Sequence, residues 1–252
     1  MLDRKELERY GPPGFRLGQK EKDYVQHWLL TFLARSGFTA AFKGGTALQK
    51  AYGLPRYSED LGFTLVEGGE NPDFESAGAF LSSAGFSGIQ WKTRENGLSV
   101  AVKMRYRGPL YNGKNASEGT VAVEISKREK VLLKPVAAEI SPPYPDLLPY
   151  EALVLDKAEI AAEKIRALLT RSSARDLFDL HFLLRLGVRL DLRLVNEKLA
   201  YYGTTFDGRL FEKRVGKLAG LWDGEMGALT PAKANYREAK ATALQAAKKQ
   251  LE

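Results

Sequence analysis

The stretch Phe42-Lys43-Gly44-Gly45-Thr46-Ala47-Leu48-Gln49-Lys50-Ala51-Tyr52-Gly53-Leu54-Pro55-Arg56-Tyr57-Ser58-Glu59-Asp60-Leu61-Gly62-Phe63-Thr64-Leu65 contains most of the fold's grammar. Phe38 to Phe42 is a short apolar strand candidate. Gly44-Gly45 interrupts it, and Thr46 is placed to cap a helix that runs to about Tyr52. Gly53-Leu54-Pro55 ends that helix. Leu61, Phe63 and Leu65 then alternate with Asp60, Gly62 and Thr64, the pattern of a half-buried strand. Strand, glycine turn, helix and a second strand opening on a carboxylate thus follow one another with little intervening loop.

Working outward, Tyr24, Val25, Trp28, Leu29 and Phe32 recur at helical spacing and predict a helix over about residues 19–36. Gly68 to Pro72 reads as a turn, and about 73–84 as another helix. Leu98, Val100, Val102, Met104 and Tyr106 alternate with polar or small residues, as do Val121, Val123 and Ile125; each set predicts a strand. Ser141-Pro142-Pro143-Tyr144-Pro145 reads as a linker, because proline stops both helix and strand pairing. Beyond it the pattern is helical, over about 155–170, 173–186, 191–201 and 232–250. The chain reads as α+β, with a mixed lobe over residues 1–145 and an all-helical lobe over 146–252.

Composition narrows the chemistry. The 252 residues suffice for a large domain or two modest ones, and 44% hydrophobic with 27% charged residues is ordinary for a globular protein. No apolar run is long enough to span a bilayer, and Met1-Leu2-Asp3-Arg4-Lys5-Glu6 lacks the apolar core of a signal peptide. The expectation is a cytoplasmic protein with no membrane partner. Cysteine is absent, which excludes disulfides, thiol catalysis and thiolate-bound zinc. His27 and His181 are the only histidines, too few for a histidine-rich metal centre. Any metal would be held by oxygen, which favours Mg²⁺ or Mn²⁺. The net charge of +7 suits a polyanion such as nucleic acid, although a basic surface alone specifies no more than solubility.

Several residues carry candidate chemistry. A Gly-Gly pair lets backbone approach a ligand, and the following helix start offers N–H groups to phosphate. Lys43-Gly44-Gly45-Thr46 lacks the spacing of a Walker A loop, and alone it is equally a plain strand-to-helix connection. Strand residues two apart share a face at about 6.6 Å, so an Asp-x-Asp pair grips divalent ions from one side. Here that face carries Asp60, Gly62 and Thr64, while Glu59 alternates to the other face unless a bulge re-aims it. Glu124 interrupts an apolar strand on the face of Thr120 and Ala122; it is either solvent-facing or a metal ligand or base opposite Asp60. Lys164 borders the apolar stripe of its helix, either snorkelling to water or placed to neutralise a triphosphate. Asp176 and Asp179, three apart, adjoin on one helix surface, within reach of Lys164, a ribose or a base. Helix-start charge preference accounts for Asp176 better than for Asp179. Tyr201, Tyr202, Phe206 and Trp222 read as core, and the Ala/Lys-rich tail from Ala232 to Glu252 as a solvated helix.

Taken in order, Lys43-Gly44-Gly45-Thr46-Ala47-Leu48, Arg56-Tyr57-Ser58-Glu59-Asp60-Leu61-x-Phe63, Val123-Glu124-Ile125-Ser126-x-Arg128-Glu129, Ala162-Glu163-Lys164-Ile165-Arg166-Ala167-Leu168 and Arg175-Asp176-Leu177-Phe178-Asp179-Leu180 resemble one family. It is the AbiEii/AbiGii (MenT-like) nucleotidyltransferase toxins of prokaryotic type IV-like toxin–antitoxin systems, and the resemblance spans roughly residues 20–186. It implies a DNA polymerase β-like nucleotidyltransferase lobe with a mixed sheet, followed by a helical lobe, with the active site in the cleft between them. It implies transfer of a nucleotide from an NTP with Mg²⁺, onto tRNA or another RNA, and a cognate antitoxin as partner. Some relatives add nucleotides to the tRNA 3′ acceptor end, which stops translation. By motif, Lys43, Gly44, Gly45, Thr46, Arg56, Ser58 and Asp176 would bind nucleotide. Asp60 and Glu124 would hold metal, and Lys164 and Asp179 would complete the catalytic set. Ser58 stands where some relatives are phosphorylated by a kinase-like antitoxin; a phosphate there would repel the triphosphate and compete for the metal. One position departs from the family: its Asp-Leu-Asp is Asp60-Leu61-Gly62 here. The alternative reading is therefore a weakened or inactive relative that binds nucleotide or RNA.

Overall fold

The computed structural model describes residues 1–231 and 234–251; Ala232 and Lys233, at the start of the expected tail helix, and Glu252 lie outside the described residues. The chain forms two compact units. One comprises Met1–Tyr52, Tyr57–Val131 and Pro135–Val154; the other comprises Gly53–Arg56, Leu132–Lys134 and the rest of the chain from Leu155.

The first unit is built on seven strands: β1 (Ala40–Lys43), β2 (Asp60–Leu65), β3 (Ser87–Asn96), β4 (Ser99–Arg107), β5 (Gly119–Ser126), β6 (Val136–Ile140) and β7 (Tyr150–Val154). They lie in the order β3-β4-β5-β2-β1-β7-β6. The sheet is mixed, as expected: β2 runs parallel to β5 and β1 parallel to β7, while the other neighbours are antiparallel. Helices α1 (Arg4–Arg9), α2 (Leu17–Arg35), α3 (Gly44–Tyr52) and α4 (Phe74–Ser83) complete the unit.

Alternation decides which face of the sheet is buried. Leu61 lies opposite Val123, which lies opposite Val102; Phe63 lies opposite Ile125, which lies opposite Val100. All six are buried, and at about 1.5–3 kcal/mol per buried side chain such rows fix the register against a one-residue slip. On β1, Phe42 stacks on Phe63 with ring centroids 5.1 Å apart. Helices α2 and α4 meet through Trp28, Phe32 and Phe80, the Trp28 and Phe32 rings each 5.7 Å from that of Phe80. Gly119 has a steric reason: a Cβ there would lie 2.2 Å from the ring of Tyr106, its cross-strand partner.

Three strands escape the sequence pattern. β3 presents few apolar residues beyond Ile89 and Trp91, and as an edge strand it is mostly exposed. β6 and β7 are short, and the proline-rich segment expected to be an interdomain linker joins them, so the sheet unit continues to Val154.

The second unit holds α5 (Lys157–Thr170), α6 (Ala174–Arg185), α7 (Leu192–Ala200), α8 (Gly208–Lys217), α9 (Ala219–Met226) and α10 (Tyr236–Gln250). Helices α8 and α9 are additional to those the periodicity predicts. The tail helix α10 is not solvated all round: Ala239, Ala243 and Ala247, four apart and so on one face, are buried. Trp222 is core as expected, whereas Tyr202 is exposed and lies under the Arg166 guanidinium at 4.8 Å.

Candidate active site

The first group of site residues is assembled by the connection around α3. Gly44 has φ +75°, a left-handed conformation that favours glycine and turns the chain out of β1 into the helix. The helix starts at Gly44, so Thr46 belongs to its first turn rather than capping it. Thr46 is 1% exposed, and its hydroxyl works inside the protein. It donates to the Asp60 carbonyl at 2.5 Å and is hydrogen-bonded to the Ser58 hydroxyl at 2.7 Å. Ser58 is itself buried. Gln26 Nε2 on α2 donates to the Ser58 and Glu59 carbonyls at 3.2 and 2.8 Å. These bonds fix the backbone that presents Asp60. What the turn offers a phosphate is main chain, because the first N–H groups of a helix have no partner within it.

Asp60 is exposed at the head of β2. Gly62, on the same face, lies opposite Lys43 on one side and Glu124 on the other. Glu124 is thus level with the position that lacks a carboxylate, and it too is exposed. Strand spacing and rise put the Asp60 and Glu124 Cα atoms about 8 Å apart on the diagonal. The Glu59 carboxylate is 3.6 Å from Lys22 Nζ, and the β2–β5 register carries no bulge from Asp60 to Thr64. Lys43 Nζ is 3.5 Å from the carboxylate of buried Glu129.

Among the described residues no three or more acidic or histidine side chains cluster as a metal cage. Two carboxylates on one open face still fit Mg²⁺ or Mn²⁺, since Mg²⁺ is commonly held by one or two carboxylates together with substrate phosphates. Gly62 is not dictated by backbone: its φ is not left-handed, and a Cβ there would sit 3.4 Å from the Lys43 carbonyl oxygen, an ordinary contact.

The second group lies in the helical unit and is tightly bound together. Asp179 receives Arg56 in a two-pronged pair, Nε to Oδ1 at 2.6 Å and Nη2 to Oδ2 at 2.7 Å. Lys164 Nζ is 2.6 Å from Asp179 Oδ2 and 3.0 Å from Asp176 Oδ1. Arg171 Nε closes the chain on Asp176 at 2.9 Å. Burial works to raise both aspartate pKa values, but the cations overcome it. Arg56 and Lys164 hold Asp179 below the usual carboxylate range, and Lys164 and Arg171 do the same for Asp176. Asp179 returns the favour: against burial, it pushes the Arg56 guanidinium still higher. Lys164 is buried, not snorkelling, and two of its three N–H donors are engaged.

The sequence reading missed the support beneath the turn. Asp23 on α2 is fully buried and takes Lys50 Nζ at 2.9 Å, Gln49 Nε2 at 2.8 Å and the Tyr144 hydroxyl at 2.8 Å. That anchors the far end of α3. A signal existed: Asp23, Gln26 and His27 interrupt an otherwise apolar helix face. In the helical unit Lys198 is likewise buried between Glu159, at 2.6 Å, and Glu163, at 3.2 Å. Glu159 also accepts from the Leu132 and Leu133 amides at 3.0 and 2.8 Å.

With this geometry in place, the family profile of the AbiEii toxin, a nucleotidyl transferase of type IV toxin–antitoxin systems, matches residues 31–249. The chain belongs to the AbiEii family. Its fold is similar to that of MenT4, a nucleotidyltransferase toxin from Mycobacterium tuberculosis H37Rv: TM-score 0.64, 24% identity, covering 97% of this chain and 88% of that one. A putative nucleotidyltransferase from H. pylori gives TM-score 0.62 and 24% identity over 90% of this chain and 92% of that one. JHP933 from Helicobacter pylori gives 0.55 and 20% over 98% and 92%. No curated protein matches. Membership of the AbiEii family brings nucleotide transfer, an antitoxin partner and a nucleic-acid substrate into view. Among the described residues no helix is long and apolar enough to cross a membrane.

Proposed function

We propose that this AbiEii-family chain transfers a nucleotide from an NTP to the 3′ end of an RNA, in the first instance the acceptor end of tRNA, and thereby blocks translation. The observation that carries the reading is the open sheet face on which Asp60 and Glu124 stand beside the Gly44-Gly45 turn. Asp60 and Glu124 would hold Mg²⁺ or Mn²⁺, Glu124 supplying the carboxylate that Gly62 lacks. A divalent ion held by these two carboxylates would supply positive charge to offset the negative charge of the triphosphate. The main chain of Gly44 and Gly45 receives phosphate. Lys164, held by Asp176 and Asp179, would supply a positive charge for the triphosphate. The 3′ hydroxyl oxygen of the RNA attacks the α-phosphorus, the bond to pyrophosphate breaks, and the hydroxyl proton leaves to solvent.

The test is incorporation of each labelled NTP into intact tRNA with Mg²⁺. Incorporation that Asp60→Ala reduces at least about a thousandfold supports the reading; this corresponds to roughly 4 kcal/mol of transition-state stabilisation. Gly62 favours a second reading, a binding module without catalysis. Labelled NTP retained by the protein with no incorporation into any RNA would establish that reading instead.

A further inference from the structure

The β3–β4–β5 part of the sheet bears a basic groove that adjoins the Asp60 and Glu124 face at Glu124. On β4 the residues facing away from the core are Ala101, Lys103 and Arg105, all exposed. Register places Lys92 on β3 opposite Lys103, and Arg94 opposite Ala101. On the other side Lys103 lies opposite Ala122, which lies opposite Asp60, while Ala101 lies opposite Glu124. One lateral row therefore runs Lys92, Lys103, Ala122, Asp60; the next runs Arg94, Ala101, Glu124, Gly62. With strands about 4.8 Å apart, Lys103 stands about 10 Å and Lys92 about 14 Å from Asp60 along the row. These side chains line a groove of about 590 Å³ with Glu124 at one edge.

The basic residues of this surface differ in their pairing. Arg105, which also lines the groove, and Arg107 pair with Glu118 at 3.5 and 2.9 Å, and Lys127 pairs with Glu95 at 2.5 Å. The other lining cations, Lys92, Arg94 and Lys103, have no ion-pair or hydrogen-bond partner among the described residues. Lys92 and Lys103 are a like-charge pair directly across two strands, an arrangement that destabilises a sheet unless an anion relieves it. Three unpaired cations with both kinds of long basic side chain suit phosphates, which Arg takes as a fork and Lys as a point charge.

We propose that this groove is the track for the phosphate backbone of the acceptor RNA, with Lys92, Arg94 and Lys103 as its contacts and Asp60 and Glu124 at its end. The direction of the track rests on the nucleotidyl-transfer reading, since a 3′ hydroxyl brought to Asp60 must arrive with its own strand behind it. Binding itself does not, so it is measured without NTP or metal.

The experiment titrates a fluorescent RNA stem-loop with an unpaired 3′ end into the full chain, at several salt concentrations. Three proteins are compared: the unmodified chain, Lys92→Ala/Arg94→Ala/Lys103→Ala, and the charge-matched control Arg209→Ala/Lys213→Ala/Lys217→Ala on the exposed side of α8. Thermal melts establish that each is folded. The groove variant is expected to weaken RNA binding at least tenfold and to flatten the slope of log K against log salt by about 2, three contacts at about 0.7 each. The control should stay within about twofold. Equal loss in both variants, or no loss in the groove variant, overturns the proposal. A polyglutamate peptide serves as an acidic-protein probe. If it binds as tightly as RNA and loses as much in the groove variant, the surface is a protein interface and the proposal fails. If the groove variant loses RNA binding while no NTP is ever incorporated, the track stands and the transfer reading falls.

Discussion

At the residue scale the decisive position is Gly62. The alternation of β2 places it on the face of Asp60, and this was legible in the sequence. Its neighbour Glu124 was legible as a polar interruption, but the level at which it stands depends on the parallel β2–β5 register. That register is set by long-range pairing of strands separated by two others in sequence. Because a Cβ at Gly62 meets only ordinary contacts, Gly62→Asp should fold and add a carboxylate beside Asp60. Because Glu124 supplies the second carboxylate, NTP incorporation is expected to stay within about threefold of the unmodified chain, a difference under about 1 kcal/mol. A gain of tenfold or more would mean that Glu124 does not fill the role. Thr46 teaches the opposite lesson. Gly-Gly-Thr reads as a cap or phosphate ligand, yet the hydroxyl holds the Asp60 carbonyl, a partner fourteen residues away that no local pattern indicates.

At the element scale, helix α2 shows what periodicity can and cannot find. Its apolar stripe predicted the helix, but its buried polar residues Asp23, Gln26 and His27 were invisible as a network. His27 lies between the Tyr150 hydroxyl, 2.9 Å from Nδ1, and Asp23, 3.7 Å from Nε2. Burial and then the nearby Lys50 push its pKa down to about 3, against the pull of Asp23. The folded protein therefore leaves His27 neutral where the unfolded chain, at about 6.5, takes up a proton. The unfolded state binds more protons below that pH, so stability falls with falling pH, by up to about 1.4 kcal/mol per unit between about 6.5 and 3. Urea unfolding at pH 7, 6 and 5 should record this slope, and His27→Gln should flatten it. The other histidine, His181, is shifted in the same direction by burial, and its slope should persist in that variant. Helix α5 likewise reads as amphipathic with Lys164 at its border, but only packing against α6 makes Lys164 a buried member of a charge chain.

At the scale of the whole molecule, buried carboxylates in both units set the acid limit. Asp23 in the sheet unit and Asp176 and Asp179 in the helical unit have folded pKa values lowered by neighbouring cations in spite of burial. A depressed carboxylate contributes stability that is fully present above the unfolded value of about 3.9 and lost as pH falls through the folded value. Stability should therefore decline further below about pH 4, beyond the histidine slope. Asp179→Asn leaves Arg56 and Lys164 facing a neutral amide, so it should cost on the order of 3–5 kcal/mol at pH 7 and make the limb below pH 4 shallower. Chemical denaturation at pH 7 and pH 3 measures both. The sequence alone determined the order of the principal elements, the α+β character of the first unit, the helical unit after it and the residue types available to a site. Those follow from local periodicity, turn chemistry and composition. Only tertiary structure decided that β3 joins the sheet as an edge, that Glu124 stands level with Gly62, and that Arg56, Lys164, Asp176 and Asp179 share one buried network. Each depends on strand register or helix packing between distant segments, where burial and pairing outweigh any preference a short stretch can express.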